Sequence, residues 1–68
     1  MNQHYETWPA VMNAPQLAEA LGISKAYAYQ LLHQESFPTL RIGRRLLVPK
    51  DKLLRWIDQN TGGERIGA

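Results

Sequence analysis

Leu40-Arg41-Ile42-Gly43-Arg44-Arg45-Leu46-Leu47-Val48-Pro49 carries two short alternating runs on either side of a glycine and two arginines. Leu40, Ile42, Leu46 and Val48 stand at even positions and Arg41, Arg45 and Leu47 at odd ones, the period of two that marks half-buried strands. The runs predict a β-hairpin whose register has two solutions. A two-residue Gly43-Arg44 turn sets Ile42 opposite Arg45 and Leu40 opposite Leu47, which sends Leu46 and Val48 to the other face, because a slip of one residue exchanges the faces. A three-residue Gly43-Arg44-Arg45 loop sets Ile42 opposite Leu46 and Leu40 opposite Val48, so the four apolar side chains share one side. The second register is the expectation, although a three-residue hairpin commonly carries its glycine last. It gives the hairpin an apolar underside, puts Arg44 and Arg45 at the tip and leaves Leu47 on the outer face with Arg41.

The chain to which this hairpin belongs has 68 residues. That is one domain near the lower size limit, where a chain of about 60 residues buries only about 60% of its unfolded surface. It has no cysteine, so neither a disulfide framework nor a Cys-based zinc site can staple the fold. No apolar run approaches the roughly 18 residues of a membrane span, and the polar start Met1-Asn2-Gln3-His4 is unlike a signal peptide. A soluble, cytoplasmic protein that makes no membrane contact is the expectation. The net charge is only +2, yet residues 36–50 hold Arg41, Arg44, Arg45 and Lys50 without an acid. A modest total thus conceals a basic strip.

Upstream, residues 1–10 read as an arm, pinned by Tyr5 or Trp8, and Ala10-Val11-Met12 as a short extended lead-in. Asn13 is a candidate N-cap: Ala14-Pro15 places proline in the first turn, and Gln16 stands three residues on, as in a capping box. Leu17, Ala18 and Leu21 share one face and Gly22 closes the segment, which predicts a helix over Ala14–Leu21. Ser24 is a second N-cap, for a helix over residues 25–34. On it Ala28, Leu31 and Leu32 cluster on one side, Ala26, Gln30 and His33 point the opposite way, and Tyr27 and Tyr29 lie at the borders. Two helices joined by a tight glycine-containing turn are either a helix-turn-helix unit or an ordinary αα-corner, and spacing alone leaves both open. Phe37-Pro38 breaks the second helix, with Phe37 expected as a core plug between it and the hairpin. After the hairpin, Pro49 opens a third helix over residues 50–60, with Leu53, Trp56 and Ile57 as its stripe, Leu54 widening it and Thr61-Gly62-Gly63 ending it. Residues 61–68 read as a flexible tail.

Asn13 to Ser24, followed by Ala28-Tyr29-Gln30-Leu31, Phe37-Pro38, Leu40-Arg41-Ile42-Gly43-Arg44-Arg45 and Val48-Pro49-Lys50, resembles the excisionase-family DNA-binding domain. This is a small winged helix-turn-helix related to MerR-type domains. The resemblance covers about residues 11–59. Leu21-Gly22-Ile23-Ser24 and Arg41-Ile42-Gly43-Arg44-Arg45 are weak signals singly and specific at this mutual spacing. The implied fold is mainly α with a small β-hairpin, in the order helix, turn, helix, hairpin (the wing), helix, and the implied DNA-binding domain covers residues 11–60. The implied function is that of a recombination directionality factor: several copies bind and bend attachment-site DNA, with cooperative self-association, and help a tyrosine-type integrase excise a mobile element such as a prophage. The implied recognition helix is the second. Many relatives have a glycine after that helix where this chain has Glu35-Ser36, which bears on the turn into the wing.

The side chains fit that chemistry. Ser24, Lys25, Ala26, Tyr27 and Gln30 lie in the N-terminal part of the second helix, where Gln suits an adenine edge and Lys and the hydroxyls suit phosphates or guanine. Tyr29 is expected to pack its ring in the core. Arg44 and Arg45 at a hairpin tip suit a narrow minor groove, with Arg41 and Lys50 flanking the same backbone; the plainer alternative is that these charges only keep an exposed hairpin soluble and unpaired. Arg55 is expected to be solvated. His4 and His33 are far apart and lack cysteine or clustered carboxylate partners, so no metal or cofactor is expected. No phosphate loop, nucleophile elbow or paired-acid arrangement points to an enzyme. Two alternatives remain: a small transcriptional regulator of the same fold, and an adaptor that docks a protein through Trp8, Leu47 and Leu54 without binding DNA.

Overall fold

The structure, a computed structural model, describes residues 7–61. Tyr5, His4, Gly62, Gly63 and most of the expected arm and tail lie outside the described residues. The chain runs β1 (Val11–Met12), α1 (Ala14–Leu21), α2 (Lys25–Leu32), β2 (Leu40–Ile42), β3 (Arg45–Pro49) and α3 (Lys50–Gln59). This is a winged helix-turn-helix, with three helices and a β2–β3 hairpin as the wing.

The helix-turn-helix half is built by local hydrogen bonds. Asn13 Oδ1 accepts from the Gln16 N–H at 2.9 Å, and Gln16 Oε1 accepts from the Asn13 N–H at 3.0 Å, the reciprocal capping box. Pro15 occupies the first turn, where its missing N–H costs no helical bond. Gly22 ends α1 with φ 70°, a left-handed conformation that suits glycine. The N–H groups of Gly22 and Ile23 both reach the Ala18 carbonyl. Ser24 Oγ then accepts from the Tyr27 N–H at 3.1 Å and starts α2. α2 ends at Leu32, two residues before the expected limit, and α3 at Gln59, one residue before.

The apolar stripes of these helices meet one another. Met12, Ala14, Leu17, Ala18, Ala28, Leu31, Leu32, Phe37, Val48 and Leu53 are buried together, and Trp8, Leu21, Ile23, Leu46, Trp56 and Ile57 pack around them. Trp8 is therefore the described aromatic that pins the N-terminal segment. Phe37 is buried in the core with Leu31 and Leu32 of α2 and Val48 of β3, and its ring also stands edge-on to Trp56 of α3 at 4.9 Å between centroids and 71° between planes. The turn into the wing needs no glycine. Among the described residues no non-glycine has a positive φ, and Thr39 Oγ1 donates to the Leu32 carbonyl at 2.7 Å, tying the start of β2 to the end of α2.

The hairpin departs from its expected register. Ile42 pairs with Arg45, Arg41 with Leu46 and Leu40 with Leu47, so the loop is the two-residue Gly43-Arg44 turn. Gly43 has φ 58° and Arg44 has none of the positive φ of a type I′ turn, the signature of type II′, which places glycine first. Leu40 and Ile42 accordingly lie on the outer face, 38% and 54% exposed. Leu46 and Val48 face inward. Arg41 shares a face with Leu46, and Leu47 shares the outer one with Leu40, Ile42 and Arg45. The physical reason is that core lies beneath only one end of the hairpin: Val48 is fully buried and pairs with Met12, whereas the tip overhangs. β1 also makes the sheet three-stranded, in the order β1-β3-β2.

Candidate nucleic-acid interface

β1 pairs only with Val48 and Pro49. Beyond it the chain turns into α1, so the edge of β3 over Arg45, Leu46 and Leu47 borders an open groove of about 480 Å³. Its other walls are Asn13, Ala14 and Pro15 at the start of α1, Tyr29 and His33 on α2, and Arg44 at the turn. Three segments distant in sequence thus converge on one depression, and among the described residues no acid lines it.

The expected recognition residues fall on α2 as follows. Ser24 Oγ is occupied as the acceptor of the Tyr27 N–H, which leaves its O–H as a donor for a phosphate oxygen. Lys25, Ala26, Tyr27 and Gln30 are exposed. Ala26 and Gln30 stand opposite the buried Ala28-Leu31-Leu32 side, and Tyr27 lies on the flank away from Lys25. None of these five lines the groove. They form the outer surface of α2 beside it.

Of the wing residues, Arg44 and Arg45 line the groove, while Arg41 and Lys50 do not. Arg44 lies in the turn; the revised register makes Arg45 the first residue of β3. Arg41 is exposed on the edge strand β2, and Lys50 is half-buried at the start of α3, its N–H donated to the Ala10 carbonyl. Arg41, Arg44 and Arg45 form no ion pair with a carboxylate among the described residues. Arg55 is exposed on α3, as expected.

Two groove residues were not expected. Tyr29 is 49% exposed and does not belong to the core cluster, although only about 60° of helical rotation separates it from the buried Leu32. His33 follows it one turn later. Lys25, Tyr29 and His33, spaced four apart, form a stripe along that flank of α2. The position of His33 on the same side as Ala26 and Gln30 was the available signal for it; no signal within α2 indicates that the wing tip closes against it.

Among the described residues no helix is long and apolar enough to cross a membrane, and no group of His, Cys, Asp and Glu could hold a metal ion. No curated protein and no solved structure matches the chain. A family model described as a helix-turn-helix domain matches residues 11–61, which takes in β1, both helices of the motif, the wing and α3. Domains of that kind are typically non-enzymatic and bind double-stranded DNA with the second helix in the major groove. On that match and this geometry, the chain belongs to the helix-turn-helix domain family of DNA-binding domains.

Proposed function

We propose that the protein is an excisionase, a recombination directionality factor that binds and bends attachment-site DNA so that a tyrosine-type integrase can excise a mobile element. The observation that carries the reading is the pairing of an uncharged hydrogen-bonding helix face with a wing whose arginines have no carboxylate partner among the described residues. Gln30 reads an adenine edge in the major groove, with Ala26 and Tyr27 beside it, while Ser24 and Lys25 hold phosphates at the start of α2. Arg44 and Arg45 enter the adjacent narrow minor groove, and Arg41 and Lys50 follow the backbone. Spreading contacts along the backbone in this way offsets the cost of bending. The excisionase assignment within the family rests on the motif resemblance, Leu21-Gly22-Ile23-Ser24 with Arg41-Ile42-Gly43-Arg44-Arg45 at fixed spacing. Cooperative binding of several copies and a site of action in the cytoplasm, on the nucleoid, belong to the same proposal.

Selection of sites from random duplexes, followed by salt titration and a permuted-site bending assay, tests the reading. Repeated sites bound cooperatively with a bend support it; a single unbent palindromic site would favour a transcriptional regulator. No duplex binding at low salt would leave only the protein-docking alternative. Arg44→Ala with Arg45→Ala weakens binding to all duplexes and lowers the log–log salt slope by about 0.9 for each phosphate that is no longer neutralised. Gln30→Ala instead relaxes preference at one base step, by about 1–3 kcal/mol of discrimination.

A further inference from the structure

His33 closes α2 with its own side chain. Its Nδ1 lies 2.8 Å from the carbonyl oxygen of Tyr29. A carbonyl oxygen only accepts, so Nδ1 carries a proton and donates it. That bond fixes the ring against its own helix and assigns the remaining chemistry to Nε2, which has no hydrogen-bond partner among the described residues. Nε2 is thus an acceptor when the ring is neutral and a second donor when it is protonated. His33 lines the groove together with Arg44 and Arg45 of the wing, and among the described residues no acid lines it.

We infer that this groove seats a phosphodiester of the DNA backbone between the wing tip and α2, and that His33 binds it through Nε2–H in the imidazolium form, so that DNA binding takes up a proton. The inference rests on the proposed DNA-binding reading and adds to it a phosphate site and a pH response. A phosphate oxygen accepts from Nε2–H only when the ring is charged; the bond is then charge-assisted, shorter and stronger than a neutral one. The anion favours the protonated ring, so the added affinity is present on the acid side of the imidazole range and is lost as pH rises through it. The other titratable groups that line the groove are Tyr29 on α2 and Arg44 and Arg45 on the wing, and α1 contributes Asn13, Ala14 and Pro15, which do not titrate. Of these side chains the imidazole is the one whose second nitrogen turns from acceptor to donor on protonation.

The test is duplex affinity of the whole chain at about pH 6 and about pH 8, at matched ionic strength, for the native protein, His33→Gln and His33→Arg. His33→Gln keeps a side-chain donor that can reach the Tyr29 carbonyl, and circular dichroism checks that α2 is intact. The native protein is expected to bind about fivefold tighter at the lower pH, with a salt slope steeper by about 0.9, the contribution of one neutralised phosphate. His33→Gln shows the weaker affinity at both pH values, and His33→Arg, a permanent cation, the tighter at both. Calorimetry in two buffers of different ionisation enthalpy registers proton uptake by the native protein in excess of that of His33→Gln. An identical pH response in the native protein and His33→Gln, with DNA still bound, overturns the role of His33 and leaves the DNA reading standing. Loss of duplex binding in all three forms overturns the DNA reading itself. Inorganic phosphate serves as the competitor: if it displaces no more duplex from the native protein than from His33→Gln, the site belongs to DNA; if it abolishes the pH response, the groove is a free-phosphate site and the proposal fails.

Discussion

The helix-turn-helix and the wing are both rich in apolar residues, yet they answer to different constraints. From Asn13 to Leu32 every boundary is set by a bond between residues three to five apart, and the apolar stripes of two helices close on each other. From Leu40 to Pro49 the apolar alternation admits two registers, and the turn decides between them. Local capping and packing agree in the first region. In the second the alternation and the turn disagree, and because the tip overhangs the core the turn decides.

The largest effect that separates the two regions is expected at Leu17. It is fully buried at the α1–α2 contact, and Leu17→Ala strips apolar packing and leaves a cavity, at a cost of about 2–5 kcal/mol. A domain of this size has only about 3–10 kcal/mol of stability. Urea denaturation is expected to show a large drop in midpoint, or a chain unfolded without denaturant. A loss below about 1 kcal/mol would mean that the helices are not the principal source of stability.

Gly43 comes next and tests the wing directly. Nothing lies within 4 Å of where a Cβ would sit, and its φ is 58°, so Gly43→Ala acts through backbone strain alone, about 1–2 kcal/mol. D-alanine at the same position, placed by chemical synthesis, accommodates positive φ and is expected to restore the loss. Equal destabilisation by both enantiomers would remove the type II′ assignment. Asn13→Ala, the matching lesion in the helical half, abolishes the capping box and is expected to cost about 1 kcal/mol, read as a fall in thermal midpoint.

The same contrast explains why the sequence discloses one half better than the other. The N-caps at Asn13 and Ser24, the left-handed Gly22 and the buried Ala28-Leu31-Leu32 side are all legible, because each depends on partners within a turn or two of helix. The register is not, because Leu40, Ile42, Leu46 and Val48 fit either solution. Their alternation favours the three-residue loop only if the hairpin lies on the core throughout its length, and it does not. The glycine standing first in the loop is the decisive local signal. The pairing of Val11-Met12 with β3 and the groove joining Asn13, Tyr29, His33 and Arg44 are long-range consequences of packing, and no periodicity within any one segment encodes them. Tyr29 defeats a core assignment for the same reason: its exposure depends on where the wing ends, not on α2.

The smallest expected effect discriminates most sharply between the registers. Ile42 is 54% exposed and opposite Arg45 on the outer face. Ile42→Thr keeps a β-branched side chain suited to a strand and removes only partly exposed apolar surface, so its stability cost is expected to stay within about 0.5 kcal/mol. In the three-residue register Ile42 would face inward opposite Leu46, and the same change would bury a hydroxyl without a partner, at about 1–3 kcal/mol. The measurement is the urea midpoint of Ile42→Thr beside that of Val48→Thr, which buries its hydroxyl in either register. A near-native midpoint for the first and a large loss for the second fixes the two-residue turn, because burial separates the two residues only when Gly43 and Arg44 alone form the loop.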